Sequence, residues 1–308
     1  MPKKESEKES ITVSFIRAFI ITPLIFLIIL ASIFAYSGVW PPLVVIESES
    51  MQHSDTTSYI GTIDTGDIVV VKGIDSFDEV VTYVEGIASG HYTYGEAGDV
   101  IIYHHSGMSK PIIHRAIVNL VYNYTGGGFD IPSLANLPAD MWEVPGENVW
   151  WNLKKSVVLN DVGYANTTVQ IDLETMLFYM SQRGEMHGGL ITLGDHNWDV
   201  DENGNVIGKY DQKWIRSVQE PIREEWLIGK ARGELPWFGL LKLWANGAVP
   251  ANTPHNSEIN LFVTLGLIFI IPMILDVGHS SLKRRGIEPF KQTKRIFSRH
   301  RDGRRREK

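Results

Sequence analysis

The sequence predicts a mainly β extracytoplasmic domain with an irregular insert, flanked by N- and C-terminal transmembrane helices. Three observations predict it: two uncharged apolar runs near the ends, short β-branched runs between them, and a charge balance that changes sign along the chain.

The first run, 18–36 ("AFIITPLIFLIILASIFAY"), is close to the roughly 20 residues that cross a bilayer core. It exceeds the roughly 7–15 apolar residues of a cleaved signal peptide, so an anchor is expected. The second run, 259–275 ("INLFVTLGLIFIIPMIL"), leads into a tail at 276–308 with 12 Lys/Arg against 4 Asp/Glu. Lysine and arginine gather on the cytoplasmic side of a membrane span. The tail and residues 1–17 are therefore expected in the cytoplasm, with 37–258 on the opposite side of the lipid bilayer.

Net charge is -7 overall but -16 over residues 18–275. An acidic centre argues against nucleic acid as a partner of the folded part. The 44% hydrophobic content supports a buried core, and the absence of cysteine excludes disulfides, thiolate metal sites and Cys nucleophiles.

Within 37–258, "DIVVVK" (67–72), "DVIIYHH" (99–105) and "IIHRAIVNLVYNY" (112–124) read as strands bounded by Gly or Pro. Gly66-Asp67 and Gly98-Asp99 supply turns before the first two. Strand signals resume at 188–195 and 226–235. The intervening 125–187 is Trp- and Asn-rich and reads as an irregular insert of open role.

Three polar clusters punctuate the strands: Ser48 and Ser50 beside Met51, the pair His114-Arg115, and "GDHNWDVD" over 194–201. A hydroxyl, a base to take its proton and an acid to orient that base are the parts of a serine hydrolase. Residue types alone leave other readings open. Ser50 in a polar stem, His114 as a satisfied strand histidine and Asp195 in a turn are equally ordinary. His104, His105, His114, Asp195 and His196 also offer donors to a metal-dependent hydrolase, though without H-E-x-x-H spacing. A non-enzymatic binding ectodomain would suit the sequons at Asn123 and Asn166.

The order of blocks narrows the choice. An N-terminal apolar run, Ser-Met, "DTGDIVVVK", "GDVIIYHH", "IIHRAI", "TLGDHNWDVD" and "IGKARGELPWFGLL" follow one another. Together they resemble a type I signal peptidase of the archaeal and endoplasmic-reticulum branch, over roughly residues 20–118 and 188–245. The resemblance implies antiparallel catalytic β-sheets, Ser50 as nucleophile, His114 as base, Asp201 as orienting acid and Asp195 as support. Ser48 matches a position that donates to the oxyanion in the bacterial branch. The implied substrates are secretory preproteins, cut at their signal peptides without metal or cofactor; secretion-machinery partners stay unspecified.

This chain departs from the pattern in three places. Extra polar residues separate Met51 from Gly66, His196 stands where Asn is usual, and Asp199 competes within the same block. The choice among Asp195, Asp199 and Asp201 stays open at this level.

Overall fold

A computed structural model describes residues 2–284 apart from residue 106. From residue 285 on, the expected basic tail lies outside the described residues.

The chain opens with helix α1 (Pro2–Ser37), then strands β1 (Leu43–Val45) and β2 (Ile68–Lys72) and helix α2 (Tyr83–Ser89). Strands β3 (Tyr92–Thr93), β4 (Glu96–Ala97), β5 (Val100–Tyr103), β6 (Ile112–Asn123) and β7 (Gly128–Asp130) follow. Next come β8 (Trp142–Glu143), β9 (Ser156–Val162), β10 (Thr167–Asp172) and helix α3 (Leu173–Arg183). Strands β11 (Gly189–Leu193), β12 (Trp198–Val200) and β13 (Val206–Gly208) precede helix α4 (Asp211–Trp214). The chain then forms β14 (Leu227–Leu235), α5 (Leu240–Ala245) and α6 (His255–Arg284).

The β-branched runs form the main sheet, in the order β1-β2-β14-β5-β6-β11, with β7 added along the far end of β6. Its pairings are antiparallel. Strand β2 alternates half-buried and buried residues, placing Val69 and Val71 inward, as a pleated strand with one covered face requires.

The segment expected to be an irregular insert is instead a second layer. Strands β8, β9 and β10 join β12 and β13 in a five-stranded sheet. Val157 and Leu159 on β9, and Val169 and Ile171 on β10, pack with Ile117 and Leu193 of the main sheet. Each such fully buried aliphatic side chain stabilises the fold by roughly 1.5–3 kcal/mol. Alternation over β9 and β10 carries this burial; a Trp- and Asn-rich stretch around residues 150–152 precedes β9 in sequence.

Helix α1 begins well before residue 18, because "KKESEKES" contains good helix formers and no breaker. Phe19–Ser37 and His255–Leu275 are each long and apolar enough to cross a membrane. The apolar side chains of Phe19–Ser37 are exposed rather than packed into the sheets. The C-terminal end of α1 is nonetheless fixed: Gly73 N–H donates to the Ser37 carbonyl (2.8 Å) and Lys72 Nζ to the Tyr36 carbonyl (2.9 Å).

The Gly66-Asp67 turn ties β1 to β2. Gly66 has φ +97°, and a Cβ there would lie 2.5 Å from Leu240 Cδ2, so only glycine fits. The buried Asp67 carboxylate accepts from the N–H of Asp64 and of Trp237, both at 2.8 Å. Burial pushes this carboxyl up to about 8, against those two bonds and with help from nearby Asp64 and Glu234. An unfolded aspartate titrates near 4, so the folded state holds the proton more tightly over about pH 4–8. Stability contributed by the protonated form is present below about pH 4 and is lost as pH rises through about 8, on the order of 1 kcal/mol per pH unit. Melting Asp67→Asn beside wild type from pH 5 to 8 is expected to give a shallower decline in the variant. Parallel curves would exclude Asp67 as the source.

Candidate active site

Ser50 stands in a turn after β1, and Met51 explains its position. Met51 is buried with Ile46, Ile63, Val71 and Ile102, so its side chain anchors the turn in the core while Ser50 stays half-exposed. Gln52 N–H closes the turn on the Glu49 carbonyl (2.9 Å), and Gln52 Oε1 accepts from Thr65 N–H (3.2 Å). Ser48 Oγ lies 3.2 Å from Ser50 Oγ.

His114 lies on β6, opposite Ile101 of β5. Its neighbour Arg115 projects to the other face, as successive strand residues must. Gly194, following β11, is where the two site residues meet. A Cβ placed on it would lie 2.5 Å from the Ser50 carbonyl oxygen and 2.8 Å from His114 Nε2. The Ser50 carbonyl and the His114 ring therefore both border Gly194, a residue that must lack a side chain. Both line a cleft of about 660 Å³ walled by Val44, Ile102, Ile113 and Ile215. Glu47 in its lining is ion-paired with Lys110 (2.5 Å) and Lys242 (3.0 Å), whose hydrogen bonds, with their charges, hold its carboxyl below the usual range.

The carboxylate that faces His114 belongs to Asp211. Its oxygens lie 2.7 and 2.8 Å from His114 Nδ1. Asp211 opens α4 and is buried beneath three adjacent strands. Tyr103 on β5 and Thr192 on β11 donate their hydroxyls to it at 2.7 Å each, flanking His114 on β6. Burial, then the Asp211 charge, raises the Tyr103 phenol, which therefore stays a donor. A carboxylate at Nδ1 holds the proton there and leaves Nε2 of the neutral ring as an acceptor on the Gly194 side.

Asp201, expected as the orienting acid, lies elsewhere. It is the first residue of the β12–β13 turn, where its carboxylate accepts from Asn203 N–H (2.9 Å), Asn205 N–H (2.8 Å) and Asn205 Nδ2 (2.9 Å). The Asn205 bonds hold its carboxyl below the usual range, on the protein surface. Asp199 is likewise exposed and pairs with Lys209 at 2.8 Å.

Asp195 is near the site but engaged with Arg115, as a bidentate pair at 2.8 and 2.6 Å, and with His53 Nε2 at 3.0 Å. Burial alone would raise its carboxyl; the Arg115 charge and bonds, with His53, outweigh that and hold it below the usual range. Arg115 in turn donates to the carbonyls of Thr93, Ala97 and Gly98. The pair is a brace between the β3–β4 hairpin and the Gly194-Asp195 turn.

Compared with known proteins, the chain matches no family model and no curated protein. The donors of a metal site do not assemble: among the described residues, no group of three or more His, Asp or Glu is placed to hold an ion. His104 bonds the Met108 carbonyl (3.1 Å), and His105 packs edge-on against Trp226.

A signal for Asp211 was present in the sequence. Asn203-Gly204 between "WDV" and "VIG" is a hairpin signal. Folding residues 198–208 away as β12 and β13 brings Asp211, distant in sequence, close behind the Gly194-Asp195 turn.

Proposed function

We propose that the chain is a membrane-bound serine endopeptidase that removes signal peptides from secretory preproteins. The observation that carries this reading is the meeting of Ser50 and His114 at Gly194, with His114 Nδ1 on a buried, fully bonded carboxylate. Ser50 Oγ attacks the scissile carbonyl while His114 Nε2 takes its proton, and Asp211 stabilises the imidazolium that forms. The Ser48 hydroxyl is within reach of an oxyanion forming beside Ser50, and such a donor is worth roughly 3–4 kcal/mol. His114 then protonates the leaving amine, and water releases the acyl-enzyme. This chemistry requires no metal or cofactor.

The cleft supports an extended apolar substrate. Strand β1 is the outermost strand of the main sheet and lines the cleft through Leu43, Val44 and Val45. A peptide adding along a sheet edge is held by main-chain bonds, while alternate side chains enter apolar pockets. Two apolar helices suit an enzyme whose substrate arrives in the bilayer, with both termini in the cytoplasm and the catalytic domain on the other side. The block order described above, from Ser-Met to "ARGELPW", resembles that of type I signal peptidases.

The test uses the full-length protein in lipid with a preprotein bearing small residues before its cleavage site. Mass spectrometry of the products is expected to show one cut, with Ser50→Ala and His114→Ala each slower by about 10⁴-fold or more. An intact preprotein with wild type would end the peptidase reading, leaving a binding ectodomain. Full activity in Ser50→Ala would remove the nucleophile assignment, and loss of activity on adding a chelator would favour metal chemistry.

A further inference from the structure

Between β1 and β2 the chain runs from residue 46 to 67 outside the sheets, a long connection for a compact domain. Loops of this length move unless something holds them, and this one carries Ser50. Its interior is held by Met51 and Gln52, as described. The same stretch, residues 50–55, is also gripped from residues of the second sheet and its turns.

We infer that Tyr164, in the turn between β9 and β10, is a positioning residue for Ser50. The inference rests on the peptidase reading of the same site. His196 N–H donates to the Ser50 carbonyl at 2.9 Å, so His196 fixes the backbone that presents the nucleophile. The His196 ring is fixed in turn. Its Nδ1 shares a 2.7 Å hydrogen bond with the Tyr164 hydroxyl and lies 3.2 Å from the Gln52 carbonyl; its Nε2 pairs with Asp55 at 2.9 Å. Trp198 Nε1 donates to the same Tyr164 hydroxyl at 3.2 Å.

The Tyr164 ring also stacks on His53, with centroids 4.5 Å apart and planes 23° apart. His53 is bonded to Asp195, so one tyrosine touches both His53 within the nucleophile loop and His196, which holds that loop from outside. The turn bearing it is itself anchored. Gly163 N–H donates to the Tyr83 hydroxyl, and that hydroxyl donates to the Asp161 carbonyl, each at 3.1 Å. A rigid path thus runs from α2 through the β9–β10 turn to the Ser50 carbonyl. Tyr164 is only half-buried, so its role is not that of a core residue. The second sheet supplies a clamp on the first sheet's reactive loop.

Full-length Tyr164→Phe and Tyr164→Ala in lipid test this with two readouts. In cleavage assays Tyr164→Phe, which keeps the stack and loses the hydroxyl, is expected to lower kcat about fivefold, the loss of one net hydrogen bond. Tyr164→Ala is expected to lower kcat about 100-fold, as displaced reacting groups do. KM should stay near wild type in both, because the cleft is untouched. In hydrogen exchange, amides of residues 50–55 should exchange at least about tenfold faster in Tyr164→Ala, with the β5 and β6 amides unchanged. Exchange needs no substrate, so it decides the clamp even if wild type cleaves no preprotein, which would defeat only the peptidase reading. Unchanged exchange over 50–55 in Tyr164→Ala would overturn the inference. So would equal acceleration across β5 and β6, which would make Tyr164 merely structural.

Discussion

Asp211→Asn is expected to lower kcat by about 10³–10⁴-fold while leaving KM near wild type. An amide in place of the carboxylate can turn its NH₂ toward Nδ1, which then becomes the acceptor and places the proton on Nε2. The base is lost although every atom keeps its position. The amide also gives no charge to stabilise an imidazolium. Asp201→Ala is expected to cleave within about twofold of wild type, since its carboxylate serves only the turn between β12 and β13. Steady-state rates of both variants on the same preprotein decide the matter. A silent Asp211→Asn, or an inactive Asp201→Ala of normal melting temperature, would return the acid's role to the Gly194–Asp201 block.

Removing either member of the Arg115–Asp195 pair is expected to be the most damaging change to the fold, at about 3–5 kcal/mol. Both side chains are buried, and each is left as an uncompensated charge without the other. Denaturant unfolding of Arg115→Met and of Asp195→Leu measures the loss. The double variant should recover much of it, because an apolar pair leaves no charge behind. Additive losses in the double variant would show that the pair is not coupled. The same pair sets an acid limit. The Asp195 carboxyl is held below its unfolded range, so the stability it contributes is present above about pH 4 and is lost as pH falls through the lower folded value.

The two predictions mark what could be read before the structure and what could not. The strands at 68–72, 100–103 and 112–123 stand out because β-branched residues cluster there between Gly and Pro, whereas 189–193 and 227–235 hold only two and one of them. The sequence marks Ser50 by the methionine that follows it, and the physical content of that neighbour is an anchor in the core. His114 and Arg115 were legible as a pair, and strand alternation sends them to separate tasks.

Asp211, not Asp201, is the carboxylate beside His114, because spacing along the chain stands for distance only where the chain is straight. The β12–β13 hairpin carries Asp199 and Asp201 outward and returns Asp211 beneath β6. The second sheet was missed because β8, β12 and β13 have two or three residues each, too few for a periodic signal. Tyr164 carried no signal at all. Its partners come from the chain around residues 53 and 196, and only folding brings them to one place.

The bonds from Lys72 and Gly73 to the end of α1 have a further consequence on the proposed reading. A helix joined to its domain by a slack tether would let the reactive serine sample many heights above the lipid. Here the last turn of the helix is stitched to the second strand of the sheet that also carries the nucleophile turn. Helix and sheet then act as a gauge of fixed length, so the place of the cut would be measured from the bilayer surface as well as from the residues in the cleft.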